Sequence, residues 1–171
     1  TTRFGGPIYD FDHEPYFTKK DLKKMDPFQW YGIAAGMDAL DDSGLEVSDE
    51  NAKRIGVAIG SGIGGVTGIE TGYANFLKGG PRKISPFFVP ANIINMVAGN
   101  LSIWRGLKGP NISIVSACST GAHNIAEAGR MIQYRTVDVM VAGGSEMATS
   151  PTGLGGFAAA RALSTRNDDP Q

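Results

Sequence analysis

Cysteine occurs once in these 171 residues and histidine only twice. A single thiol excludes an internal disulfide and a cysteine-based zinc site, and so few histidines leave little else to hold a metal. An excess of one charge is missing as well, since 16 basic side chains face 17 acidic ones. No general field draws the chain to nucleic acid or to an anionic membrane, so a charged partner must be met by a local patch. The opening TTRFGGPIYDFDHEP has no basic-then-apolar signal, and no long apolar run follows anywhere. Neither secretion nor membrane spanning is expected, and the lone cysteine fits a reducing, cytoplasmic setting. There is no internal repeat, heptad or low-complexity tract.

Glycine, by contrast, is plentiful: 24 residues, roughly twice the usual share. Much of it falls just after stretches that read as strands, where backbones turn tightly. The length suffices for one domain with a real core.

The stretch Asn111 to Gly129, NISIVSACSTGAHNIAEAG, holds the cysteine where one periodicity gives way to another. Alternation and β-branched content over Asn111 to Ala117 predict a buried strand. After Cys118, Ser119 and Thr120 can cap a helix, and Ala122, Ile125, Ala126 and Gly129 recur on one helical face. Cys118 is therefore placed at a strand-to-helix elbow. Unpartnered N–H groups and the positive end of the helix macrodipole favour a thiolate there, and the thiolate is the nucleophile. Gly121 and Ala122 leave room for a substrate carbonyl, and the Cys118 N–H is a candidate for half of an oxyanion hole. On chemistry alone a small buried core cysteine remains the competing reading.

Along the rest of the chain, residues 1–15 read as irregular. Lys19, Lys20, Lys23 and Lys24 predict a small basic helical surface, which a solvated helix face would also explain. Asp26 and Pro27 start a helix whose apolar stripe is Ile33, Ala34, Met37 and Leu40, ending at Gly44. RIGVAIG, Arg54 to Gly60, is a strand. It runs into Gly60-Ser61-Gly62-Ile63-Gly64-Gly65, which matches the G-x-G-x-x-G dinucleotide pattern. That pattern needs a second strand ending in an acid about 20 residues on, whereas FLKGGPRKISPFF offers neither, so a dinucleotide site is not expected. GGPRKISPFFVP, residues 79–90, is a long shaped loop, followed by a buried helix from Pro90 or Ala91 through Trp104. Val137 to Ala142 is a third strand, and Glu146 beyond it is either a general base or a structural acceptor of backbone N–H bonds. A short helix through Ala162 closes the reading. Strands separated by helices predict an α/β layer with a largely parallel sheet.

IGSGIGG, GGPRKISPFFVPANIINMVAG, GPNISIVSAC, SACSTGAHNIAEA, DVMVAGGSE and GFAAARALSTRND resemble, in order and spacing, the β-ketoacyl-acyl-carrier-protein synthases of the thiolase superfamily. The likeness is to their elongating type II branch and runs from about Lys19 onward. Ser116 is a small departure, since threonine is commoner two places before the cysteine. The resemblance implies a thiolase-like fold, layered α-β-α-β-α when complete, with residues 1–171 as a partial N-terminal ketosynthase domain. The HGT, KxxxGH and FGFGG motifs of the family's second half do not occur. An internal fragment lacking the C-terminal half is thus expected, and His123, on the elbow helix, is no substitute for the family's catalytic histidines.

By the same resemblance, Cys118 accepts an acyl group from acyl-carrier protein and passes it to a carbanion made by decarboxylating malonyl-carrier protein. Ile63 and Phe157 line the acyl pocket, and Phe88 with Val89 close it from the other subunit of a homodimer. The Asn111 to Ala117 strand pairs with its two-fold mate. Lys20, Lys23, Lys24, Arg82 and Lys83 form the docking patch for the acidic carrier protein. No cofactor, metal, nucleic acid or membrane is implied. The alternative is a non-catalytic ketosynthase fragment, or a chain-length or interaction module.

Overall fold

A parallel sheet runs through the computed structural model, which describes residues 1–169. Its central strand β1 (Ile55–Gly60) lies between β2 (Asn111–Ile112) and β3 (Val139–Gly144). β1 is buried along its whole length, which is why IGVAIG reads as an unbroken apolar run rather than an alternation. Ile55 pairs with Val139 and Gly60 with Gly144, so the glycine ends of β1 and β3 lie side by side. Arg54 fixes this register: its guanidinium donates to both carboxylate oxygens of Asp138 and to the carbonyls of Thr136 and Arg135.

The pleat sends alternate residues of β1 to opposite faces. Ile55, Val57 and Ile59 join the core with α2 (Pro27–Asp42) and α5 (Met96–Arg105), which supply Phe28, Ile33, Met37, Val97 and Leu101. Gly60 faces the other way, against Thr120 and Asn124 of α6 (Thr120–Gln133). The remaining helices are α1 (Lys19–Leu22), α3 (Val66–Gly79), α4 (Phe88–Asn92) and α7 (Pro151–Ala159). Asp26 caps α2 with Pro27 in its first turn, and Ile33, Ala34, Met37 and Leu40 are buried as the stripe requires. That helix stops at Asp42, short of Gly44, whose φ of 65° places it in the left-handed region.

Four expectations are corrected. The strand expected over Asn111 to Ala117 has ladder pairing only at Asn111 and Ile112, because the side chain of Asn124 takes the backbone N–H and C=O of Ile114. The long loop is not unstructured: it holds a 3-10 turn at Pro81–Lys83 and then α4, on which Phe88 and Val89 sit. The single helix expected through Trp104 is two, α4 and α5, because the Asn92 carbonyl turns outward to accept the Gly65 N–H at 3.0 Å. The α5 half is buried only on Val97, Ala98 and Leu101, with Ile103 and Trp104 exposed. Finally, α6 buries Thr120, Asn124 and Ala128, and the apolar row of Ala122, Ile125, Ala126 and Gly129 is open to solvent. The third strand and the last helix occur, displaced by a few residues from their expected bounds.

Candidate active site

Cys118 lies in a 3-10 turn, Ala117–Ser119, between the β2 segment and α6. Ala117 has a φ of 51°, a left-handed conformation that costs an L-residue roughly 1–2 kcal/mol. The turn is held by a clasp around the cysteine. The Ser116 N–H donates to Thr120 Oγ1 at 3.0 Å, and the Ser119 N–H donates to the Ser116 carbonyl at 3.1 Å. Ser119 itself makes no side-chain cap; the buried Thr120 hydroxyl turns back to Ser116 instead. Ser116 Oγ lies 2.5 Å from His123 Nδ1, which ties that imidazole to the outer side of the elbow. The Cys118 side chain is exposed at the start of α6, where the first-turn N–H groups and the macrodipole favour an anion.

In front of the thiol opens a cavity of about 430 Å³, walled by Ile63, Gly121, Glu146 and Phe157 among others. Two residues far apart in sequence, Ile63 after β1 and Phe157 on α7, are thus brought to Cys118. Both keep 40% or more of their surface free, so neither is spent on the core. Phe88 and Val89 do not line this cavity. The Phe88 ring packs over Gly72 of α3, and Val89 is exposed on α4.

Glu146 organises the glycine loop. Its Oε2 accepts the Ile63 N–H at 2.8 Å, and its Oε1 accepts the Ser61 hydroxyl at 2.8 Å and the Gly64 N–H at 3.3 Å. A run of N–H groups in a glycine turn is an anion cradle, and here the protein's own carboxylate fills it. With the cradle so filled, the Ile63 and Gly64 N–H groups of the G-x-G-x-x-G run are already bonded to a carboxylate. Of the two readings of Glu146, the geometry is that of an acceptor of backbone N–H bonds.

Two more carboxylates brace the walls. Glu70 on α3 accepts from the Ser150 hydroxyl at 2.8 Å and from the Thr152 N–H at 2.6 Å, fixing the start of α7 and hence Phe157. The Thr152 side chain, then, against a desolvation cost, the Ser150 hydroxyl and the Thr152 N–H hold Glu70 below the ordinary carboxylate range. Asp26 accepts from the Phe28 N–H at 3.2 Å and the Gly68 N–H at 2.6 Å. Burial nevertheless pushes its carboxyl upward, and the charges of Glu146 and Glu70 add to the effect. Through Asp26, the first turn of α2 is joined to α3, and Gln29 Nε2 donates to the Pro90 and Ala91 carbonyls of α4.

The basic residues lie elsewhere. Lys20 and Lys23 are exposed on and just after α1, and Arg82 and Lys83 are exposed on the 3-10 turn. Lys24 is 3.9 Å from Asp21 and 5.7 Å from the centre of the Phe87 ring, so α1 abuts the segment that follows Arg82 and Lys83. Sequence reasoning missed Asn124, Ser61 and Glu70, and it read Thr120 as a cap without its burial or its bond back to Ser116. The available signal for Asn124 and for the burial of Thr120 was polar residues recurring four apart on α6, a row that is buried.

Among the described residues, no helix is long and apolar enough to cross a membrane. Similar proteins share both sequence and shape with the chain. It is 64% identical over 171 residues to the 3-oxoacyl-acyl-carrier-protein synthase 2 of Vibrio cholerae serotype O1, covering all of this chain and 41% of that protein. It is 54% identical over 170 residues to the enzyme of the same name from Coxiella burnetii, covering 99% of this chain and 41% of that one. The chain thus spans about two fifths of these relatives. A solved β-ketoacyl synthase from Burkholderia phymatum STM815 superposes with a TM-score of 0.85 at 30% identity, over 99% of this chain and 41% of that one. A ketosynthase of a type II polyketide system, solved with its acyl-carrier protein and bound to the hexaketide, gives 0.82 at 27% identity, over 88% and 43%. The fold is the thiolase-like α/β fold of these ketosynthases. The model of the family's beta-ketoacyl synthase N-terminal domain matches residues 1–171 throughout, and the chain belongs to that family.

Proposed function

We propose that the protein to which this chain belongs is an acyltransferase of fatty-acid elongation, a β-ketoacyl-acyl-carrier-protein synthase, with residues 1–171 as its partial N-terminal domain. The observation that carries this reading is the meeting of Cys118 with Ile63 and Phe157 around one cavity of about 430 Å³. An exposed thiol at a helix N-terminus suits attack on a thioester carbonyl, and the free apolar walls suit an acyl chain. In the first step the Cys118 sulfur bonds to the acyl carbon, the C–S bond to the carrier's thiol breaks, and that thiol leaves with the proton. In the second, malonyl-carrier protein loses carbon dioxide, the resulting carbanion attacks the acyl-cysteine, and the Cys118 thiolate is released. The donors that steady the forming enolate belong to the remainder of the protein.

The names of the relatives support this activity, and the carrier protein bound to a ketosynthase neighbour supports such a partner. Lys20, Lys23, Lys24, Arg82 and Lys83 are the proposed dock for that acidic partner, in a homodimeric, cytoplasmic enzyme that uses no cofactor. The test is mass spectrometry of the full-length protein, intact and after proteolysis, following incubation with acyl-carrier thioester. An acyl adduct on the Cys118 peptide, absent from Cys118→Ala, is expected. An adduct elsewhere, or elongation by Cys118→Ala, would sink the reading.

A further inference from the structure

Building on that proposed function, we infer that Glu146 sets acyl chain-length selection, as the positioning residue that holds Ile63 in the wall of the cavity. Ile63 sits on a glycine turn with no helix or ladder of its own to fix it. What fixes it is the Glu146 carboxylate, bonded to the Ile63 N–H and the Ser61 hydroxyl, both at 2.8 Å, and to the Gly64 N–H at 3.3 Å. Ser61 is buried and its hydroxyl also accepts the Gly64 N–H at 3.0 Å, so the turn is closed on both sides of Ile63. Gly62 completes the arrangement: a Cβ there would meet Glu146 Oε2 at 2.8 Å and the Ala117 carbonyl at 3.2 Å. The same loop thus passes so close to the backbone of Ala117, the residue before Cys118, that no side chain fits between them. Glu146 therefore fixes the distance between Cys118 and the side chain that meets the acyl chain, without bonding to the acyl chain itself.

The chemistry of the cradle separates the possible substitutions. Glu146→Gln would keep an oxygen for the Ile63 N–H, the new amide could donate to Ser61 Oγ, which accepts as well as donates, and the Gly64 N–H, losing Oε1, would keep its bond to Ser61 Oγ. Glu146→Asp is one methylene short, and Glu146→Ala leaves the cradle empty. An empty cradle of N–H groups recruits a small carboxylate from solution.

The experiment uses the full-length enzyme, with kcat/KM measured for a long and a short acyl-carrier substrate. Glu146→Ala and Glu146→Asp are expected to change the long-to-short ratio by roughly tenfold, the range in which a displaced apolar wall alters selection. Glu146→Gln is expected to stay near the parent ratio. Sodium formate, but not sodium chloride at equal ionic strength, is expected to move Glu146→Ala back toward it. An unchanged ratio in both Ala and Asp variants overturns the inference, as does equal loss in Gln and Asp. Should Glu146→Ala fail to fold, the comparison of Gln with Asp still decides. Ile63→Phe is the control: if it leaves the ratio unchanged, the acyl-pocket reading of Ile63 has failed, whereas a shift in Ile63→Phe alone defeats only the role of Glu146.

Discussion

The side chain of Asn124, about one turn into α6, bonds both backbone groups of Ile114, accepting its N–H at 3.1 Å and donating to its carbonyl at 2.9 Å. A second donation from the same Nδ2 reaches the Thr120 carbonyl at 2.8 Å. Asn124 thus acts as a substitute strand, pairing the backbone just where β2 has left the ladder and the chain turns toward Cys118.

Replacing Asn124 by Leu, similar in volume but without polar atoms, strands the partly buried Ile114 groups beside a fully buried side chain. The loss should be about 2–4 kcal/mol in urea unfolding of the full-length protein, with slower acylation of Cys118. A loss below about 1 kcal/mol would show that Ile114 finds other partners.

This residue also marks where the sequence was legible and where it was not. Parallel layering, the β1 strand and the α2 stripe were readable because each depends on a local apolar period. The position of Cys118 at a turn entering a helix was readable for the same reason. The inward face of α6 was not, since its buried row is Thr120, Asn124 and Ala128, whose first two members are buried for their hydrogen bonds rather than their apolarity. The apolar row that periodicity selects instead is left facing solvent. Likewise Glu146 and the glycine loop meet 83 residues apart, a pairing that no local pattern encodes.

Glu70 gives the second prediction, on pH. Its carboxyl is held below the ordinary range by Thr152 and Ser150, so the folded state favours its ionised form. A depressed folded value stabilises above the unfolded value and is lost as pH falls through the folded one. The contribution is therefore complete at pH 6 and fades below the reference value of 4.5. Glu70→Gln should lower the urea midpoint of the full-length protein at pH 6, and the gap to the parent should close as pH approaches 3. A gap that is constant over this range would mean that shape, not charge, holds α7. Asp26 works in the opposite sense, because burial raises its carboxyl and its ionisation on going up in pH costs stability.

A third prediction concerns the basic patch. Lys23 is exposed, while Lys24 is steadied by Asp21 and by the Phe87 ring. Contacts between exposed charges act mainly on encounter and are screened over about 8–10 Å at ordinary salt. Reversing both lysines to Glu should raise KM for carrier-bound substrate by roughly tenfold at low salt, with the effect shrinking as salt is added. Turnover of a short free thioester should be untouched. A parallel fall in both substrates would point to damage at α1, where Thr18 and Asp21 cap the helix reciprocally.

The fourth prediction tests whether the pocket is shared between subunits. Val89 is 61% exposed on α4, next to exposed Phe87 and close to exposed Ile93, and none of these side chains lines the Cys118 cavity of its own chain. Phe88 is partly used at home, packed over Gly72 of α3, which leaves Val89 as the freer side chain to reach a neighbour. β2 is an edge strand, paired on one side only, and an isologous contact there would cover the edge while setting α4 of one subunit against the cavity of the other. Val89→Trp in the full-length enzyme should then reject long acyl chains and retain short ones. Mixing it with Cys118→Ala, which lacks the proposed nucleophile, makes the decisive case. In a mixed dimer the intact Cys118 belongs to the Val89→Trp subunit, but its cavity is closed by the normal Val89 of the Cys118→Ala subunit. Random exchange places such a site in about half of the dimers, so long-chain activity should reappear on mixing two variants that each lack it. If mixing restores nothing while the mixed dimers form, Val89 acts on its own subunit's cavity and the shared pocket is ruled out.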